Sequence, residues 1–213
     1  KQNLNYHLKR MVNDKVIERF TSVIDLHKLG YLTYRLYIRY KDVDGKREKE
    51  IIDYFKKQDN VIWFVSLVGS WDLEVVFGAR NFIHFNNIFK KVREDIGDYF
   101  SKYDVSMSIV NYHFKRDYLL DKRRRDFSPN YYGFEPDSIK IDDLDFKILS
   151  ELSKDCSQNN VKIGEKIGVT YQTVKQRIKN LEDRGVIQSH RILFDINKID
   201  REYHKILLKL DNL

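Results

Sequence analysis

Between Thr170 and Lys179 the chain reads TYQTVKQRIK, a run of amide, hydroxyl and cationic side chains with no acid among them. Val174, Ile178 and Leu181 recur at helical spacing and form an apolar stripe. Tyr171, Gln172, Thr173, Lys175, Gln176 and Lys179 then fall on the other face. Amides and hydroxyls there can bond base edges, and ammonium groups can neutralise phosphates. Thr170 stands at the helix start, where its hydroxyl can cap the first turn and the free N–H groups suit a phosphate. The expected helix is Tyr171–Arg184, stopped by Gly185 and followed by a strand, Val186 to Phe194, as a wing. Such a helix reads the major groove of double-stranded DNA when two shorter helices present it.

Those two helices are legible upstream. Asp142 can cap a helix carrying Leu144, Ile148, Leu149 and Leu152, and Asn160 can cap a shorter one from Val161 to Ile167. Gly168 supplies the left-handed position that ends the second, giving the tight turn Gly168-Val169-Thr170. The alternative to DNA binding is a small helical domain used for protein contacts.

The same pattern occurs 170 positions earlier: Lys9, Val16, Ile17, Asp25 and Lys28 match Lys179, Val186, Ile187, Asp195 and Lys198. Leu8/Ile178, Met11/Leu181 and Leu29/Ile199 agree in apolar character. A fixed offset points to a tandem array. The expected plan is a first winged helix-turn-helix remnant over 1–30, a sheet domain over 31–118 and a linker over 119–140. A second winged helix-turn-helix follows over 141–197, and a second sheet domain begins over 198–213, so the sequence reads as a tandem repeat truncated at both ends.

Within 31–118, Leu32, Tyr34, Leu36, Ile38 and Tyr40 alternate with Thr33, Arg35, Tyr37 and Arg39, as in a half-buried strand. Arg47 to Gln58 suits a helix packing Ile51, Ile52 and Phe55. Val61–Val68 and Trp71–Ala79 are expected as strands joined by a two-residue type II′ turn at Gly69-Ser70, with Trp71 on the core face beside Leu73, Val75 and Phe77. Asn81 caps a helix bearing Phe82, Phe85, Phe89, Val92 and Ile96, and Val105 to Phe114 closes the unit. The order βαββαβ is ferredoxin-like, so the fold class is α+β. The linker holds both prolines, Pro129 and Pro136, and the basic run Lys122 to Arg125, read as solvated charge.

A net charge of +7 favours anionic partners. The apolar run Val61–Trp71 is too short to span a bilayer, so no membrane association is expected. One cysteine, Cys156, forms no internal disulfide and suits a reducing cytoplasm. The histidines His7, His27, His84, His113, His190 and His204 are dispersed, so no metal or other cofactor is expected.

The stretch Ile141-Asp142-Asp143-Leu144-Asp145-Phe146-Lys147-Ile148-Leu149, then Ile167-Gly168-Val169-Thr170, Val174 to Glu182, and Gly185-Val186-Ile187 resembles the winged helix of the Lrp/AsnC (feast/famine) transcription regulators. The βαββαβ unit resembles that family's RAM domain, whose Gly-x-aromatic-Asp turn stands here as Gly69-Ser70-Trp71-Asp72. The resemblance implies a DNA-binding regulator, not an enzyme, that associates through RAM sheets as a homo-oligomer or an intramolecular pseudo-dimer. It also implies a free amino acid as effector, held by Gly69, Ser70, Trp71 and Asp72. The tandem order departs from the usual single pair of domains. Two other functions fit the fold: an architectural, chromatin-like DNA-binding protein, and an enzyme resembling sirohaem decarboxylases, whose basic, histidine-lined pocket the sequence does not assemble.

Overall fold

The computed structural model describes residues 2–114, 130–133, 139–199 and 202–209. They form two units: Asp25–Ile141, and a discontinuous one made of Lys1–Ile24 with Asp142–Leu213.

The first unit has the expected order: β2 (Leu32–Tyr40), α2 (Gly45–Lys56), β3 (Val61–Ser66), β4 (Leu73–Ala79), α3 (Phe82–Ile96) and β5 (Phe100–Ser108). The sheet runs β3-β4-β2-β5 with antiparallel neighbours. Its central strands send Tyr34, Leu36, Ile38, Leu73, Val75 and Phe77 to one face, where Ile51 and Phe55 of α2 and Phe85, Val92 and Ile96 of α3 complete the core. Tyr34 stacks on Phe85 with ring centroids 4.2 Å apart, joining sheet to helix by a geometry aromatic pairs favour. Asp44 and Asn81 cap the two helices by accepting from the N–H groups of Arg47 and His84. On the other face, fully buried Glu74 receives a charge-assisted hydrogen bond from Arg35 at 2.7 Å. Arg35 also donates to Ser108 and Asn111, which anchors the chain just beyond the sheet.

Several expectations change in this unit. The hairpin closes around four residues, because Leu67 N–H donates to the Asp72 carbonyl and pairing resumes only at Ser66 and Leu73. Trp71 does not join the core: it lies against Tyr37, which alternates away from Leu36 and Ile38, with Lys102 Nζ 5.3 Å from its ring centre. The longer loop leaves Trp71 outside the strand register, so alternation no longer fixes its face. Phe82 is 67% exposed, standing at the first position of α3, a turn ahead of Phe85. Ile52 is only half-buried. The closing strand splits into β5 and β6 (Val110–His113), and β6 pairs antiparallel with β7 (Asn130–Gly133), a strand within the segment expected as linker. The basic run 122–125 and both prolines lie outside the described residues.

The second unit holds α1 (Gln2–Asn13), β1 (Ile17–Ile24), α4 (Asp143–Lys154), α5 (Asn160–Ile167), α6 (Tyr171–Asp183) and β8 (Ile187–Phe194). Ile148, Leu149, Leu152, Ile163, Val174 and Leu181 are buried, as the helical periodicity demands, while Ile178 is half-buried. β1 and β8 pair antiparallel from Ile17↔Phe194 to Ile24↔Ile187, burying Ile17, Val23 and Ile187. Across this pair α4 is fixed to β1: Thr21 Oγ1 donates to the Ser153 carbonyl and Cys156 N–H to the Phe20 carbonyl.

Candidate nucleic-acid interface

The helix-turn-helix is built around a close approach. A Cβ on Gly164 would meet the Val169 carbonyl oxygen at 2.5 Å, so only glycine lets α5 and the turn touch. Gly168 takes the left-handed conformation at φ 77° and donates its N–H to the Gly164 carbonyl, ending α5 as its sequence position predicts. The cap on α5 is Asn159, one residue earlier than expected: its side chain accepts from Val161 N–H at 2.9 Å. Thr170 caps α6, its hydroxyl 3.2 Å from Thr173 N–H.

Along α6 the exposed side chains include Tyr171, Gln172, Lys175, Gln176 and Lys179, with Thr170 exposed just ahead of them, while Asn180, Glu182 and Asp183 are exposed toward the far end. Most of the expected set thus shares one accessible surface opposite buried Val174 and Leu181. Thr173 differs: it is half-buried, its hydroxyl lies 2.9 Å from that of Thr170, and its N–H is spent on the same cap. Two of the seven expected groups therefore hold the helix start together.

Arg177 is the cation whose role sequence reading leaves open. Its Nη1 donates to Asp142 at 2.6 Å and to Asp145 at 3.2 Å. These carboxylates form the capping box of α4: Asp142 accepts from Asp145 N–H, and Asp145 accepts from Asp142 N–H. The Asp145 N–H and then the Arg177 guanidinium hold the Asp142 carboxyl below its usual value. Asp145 is buried, and Arg177 gives it a partner. A second tie joins α4 to α5, where Glu151 accepts from Lys154 and Lys166 and is held down to about 2 by those bonds. At its far end α6 reaches β1 through His190, whose ring lies 3.3 Å from Glu182 and 2.9 Å from Ser22. No local signal announces that last chain, because Ser22 and His190 are far apart in sequence. The S-x-x-D-like spacing of Asp142 and Asp145 does announce the capping box.

In the other unit, Gly69, Ser70, Trp71 and Asp72 form one exposed or half-buried loop. Gly69 sits at φ 142°, a conformation that favours glycine. Asp72 is fully engaged: Oδ1 accepts from Arg39 at 2.8 Å and Oδ2 from Tyr40 N–H at 2.7 Å. Arg39 also donates to the Gly69 carbonyl, so the carboxylate fastens the loop to β2. Among the described residues no group of three or more His, Cys, Asp or Glu is placed to hold a metal, and no helix is long and apolar enough to cross a membrane.

Residues 141–188 match the family described as winged helix-turn-helix DNA-binding. The chain is similar to the HTH-type transcriptional regulator LrpB of Bacillus subtilis (strain 168), 44% identical over 57 residues, which is 27% of this chain and 38% of that protein. It is also similar to the leucine-responsive regulatory protein of Rhizobium meliloti (strain 1021), 33% identical over 61 residues, 29% of this chain and 39% of that one. The chain therefore covers less than half the length of either relative. In structure it is similar to the siroheme decarboxylase NirDL, with a TM-score of 0.56 over 90% of this chain and 55% of that one. At 12% identity this last likeness is one of fold alone.

Proposed function

We propose that the chain, whose winged helix is similar to those of Lrp-type regulators, is a sequence-preferring, DNA-binding regulator of transcription of the Lrp/AsnC type. The observation that carries the reading is the exposed row Gln172, Lys175, Gln176 and Lys179 on a helix braced from behind by Arg177 and the α4 capping box. Gln172 and Gln176 read base edges, because an amide pairs donor with acceptor, whereas Lys175 and Lys179 neutralise phosphates. Tyr171 flanks them, Thr170 offers phosphate the helix N-terminus, and Thr173 serves through the cap it shares with Thr170. Both sequence relatives are regulators by name, which supports this reading over an enzyme on the same fold.

The test is binding to a selected duplex and to random DNA at one fixed salt concentration. Gln172→Ala or Gln176→Ala should cost about 1 to 3 kcal/mol of discrimination at one base position. Lys179→Ala should weaken all sequences alike and lower the salt slope by about one. Equal affinity for selected and random DNA would favour an architectural role, and unchanged binding in every variant would remove α6 as the reading head.

The finer parts of the proposal are association through RAM sheets, as a homo-oligomer or a pseudo-dimer, and an amino-acid effector at Gly69, Ser70, Trp71 and Asp72. Arg39 on Asp72 sharpens the second: an ammonium must compete with that guanidinium, while a carboxylate would find it attractive. A thermal-shift screen of the free amino acids tests it, since a ligand of the native state stabilises by mass action. A shift lost in Arg39→Gln and Asp72→Asn supports the site, and no shift in the unaltered protein rejects it.

A further inference from the structure

The pairing of β1 with β8 is symmetric in a way that the 170-residue offset makes plain. Thr21 lies opposite Arg191, its own counterpart, and Phe20↔Ile192, Ser22↔His190, Arg19↔Leu193 and Val23↔Ser189 are arranged evenly about it. The irregularities obey the same relation: Glu18 is skipped on β1 and Gln188, its counterpart, on β8. Such bulges rarely coincide without a common cause, because each needs its own extra residue.

The connections into the strands match as well. Lys15 takes φ 57° where Gly185 takes φ 67°. The N–H groups of Asp14, Lys15 and Val16 donate to the carbonyls of Arg10, Val12 and Met11, as those of Arg184, Gly185 and Val186 donate to Asn180, Glu182 and Leu181. A helix, a left-handed turn and a strand with one bonding pattern thus occur twice, joined strand to strand about a local two-fold axis at Thr21/Arg191. That axis relates α1 to α6.

We propose that α1 is a second DNA-reading helix, so that one chain presents two different reading heads to an operator with two unlike half-sites. This rests on the function proposed for α6. Counterparts of Thr173, Lys175, Gln176 and Lys179 on α1 are Asn3, Asn5, Tyr6 and Lys9, all exposed. The cation is kept at Lys9, so phosphate contact carries over. Of the two groups assigned to bases, Gln172 has an identical counterpart in Gln2, whereas Gln176 is replaced by Tyr6, and Lys175 beside it by Asn5, so the two heads prefer different sequences where those positions read. A two-fold pair of reading helices spans half-sites about 10 base pairs apart or a multiple of that, because successive major-groove openings on one side of a duplex recur once per turn. A duplex with inverted but non-identical halves is the partner this pairing fits.

Leu4, counterpart of buried Val174, is 64% exposed, so among the described residues no counterparts of α4 and α5 cover α1. Selection from a random duplex library should return a site with two different halves. Gln176→Ala should relax base preference in one half only, and Asn5→Ala or Tyr6→Phe in the other only, with melting unchanged because these side chains are exposed. Lys9→Ala and Lys179→Ala should each lower the salt slope by about one. A single half-site indifferent to the α1 variants would overturn the proposal while leaving α6 as the reader. Two identical halves that both relax in Gln176→Ala would also overturn it, since α6 of two chains would then do the reading. Failure to select any sequence would reject the function proposed for α6 together with this one.

Discussion

At the scale of single residues, the basic face of α6 divides by what each cation touches. Lys175 and Lys179 are exposed, whereas Arg177 turns back to two carboxylates of α4. A guanidinium spent this way offers little to a phosphate, but its loss leaves Asp145, whose side chain is only 7% exposed, without the donor to Oδ1 and with only the Asp142 N–H on Oδ2. Arg177→Ala should therefore cost about 1 to 3 kcal/mol of stability, the usual penalty for leaving a buried polar group unpaired. Its salt slope for DNA should stay at the unaltered value, unlike that of Lys179→Ala. Denaturant melts and binding at several salt concentrations check both halves of this outcome. Charge by itself marked all three residues, and only the fold separates the cation that braces from those that face outward.

Among elements, the three-helix unit stands on a close contact and an ionic tie. A methyl group at position 164 would need the Val169 carbonyl to move away, and that carbonyl lies in the turn that aims α6. Gly164→Ala should destabilise by about 1 to 3 kcal/mol, as overpacking does, and should weaken DNA binding even at temperatures where the chain is folded. A melting curve with parallel binding measurements tests it. Glu151 makes the same unit sensitive to acid. Its carboxyl is held at about 2 by Lys154 and Lys166, against an ordinary 4.5, so the unfolded chain binds its proton more readily. The stabilisation is thus complete above about pH 4.5 and is lost as pH falls toward 2. In Glu151→Gln the slope of melting temperature against pH over that window should flatten, and a slope equal to the unaltered one would discount the tie.

For the whole molecule, the discontinuous unit makes one strand depend on another far away in sequence. β8 has β1 as its neighbour, and a lone strand cannot satisfy its backbone or cover Ile187. Removing residues 1–24 should speed amide exchange along Ile187–Phe194 and lower the melting point of the helix-turn-helix. The sheet unit over Asp25–Ile141, which has its own core, should keep its protection. Exchange measured by mass spectrometry, read separately over the two units, decides this.

Local rules made much of this chain legible. The period-two alternation of Leu32 to Tyr40, the caps at Asp142, Asn81 and Thr170, and the left-handed stop at Gly168 each depend on a few neighbouring residues, so the elements and the order βαββαβ follow from sequence alone. The apolar stripe and outward amides of α6 are equally local, and with them the candidate interface. Contacts between distant residues were another matter. That Arg177 braces α4, that Asp72 fastens its loop to Arg39 and Tyr40, that Trp71 leaves the core face, and that β6 finds β7 all turn on which groups the fold brings within bonding distance. The meeting of β1 with β8 is the fullest case. The offset in the sequence tells that two segments are alike, but side-chain pattern constrains which face a strand buries, and which distant strand it pairs with is decided only when the fold brings the two edges together.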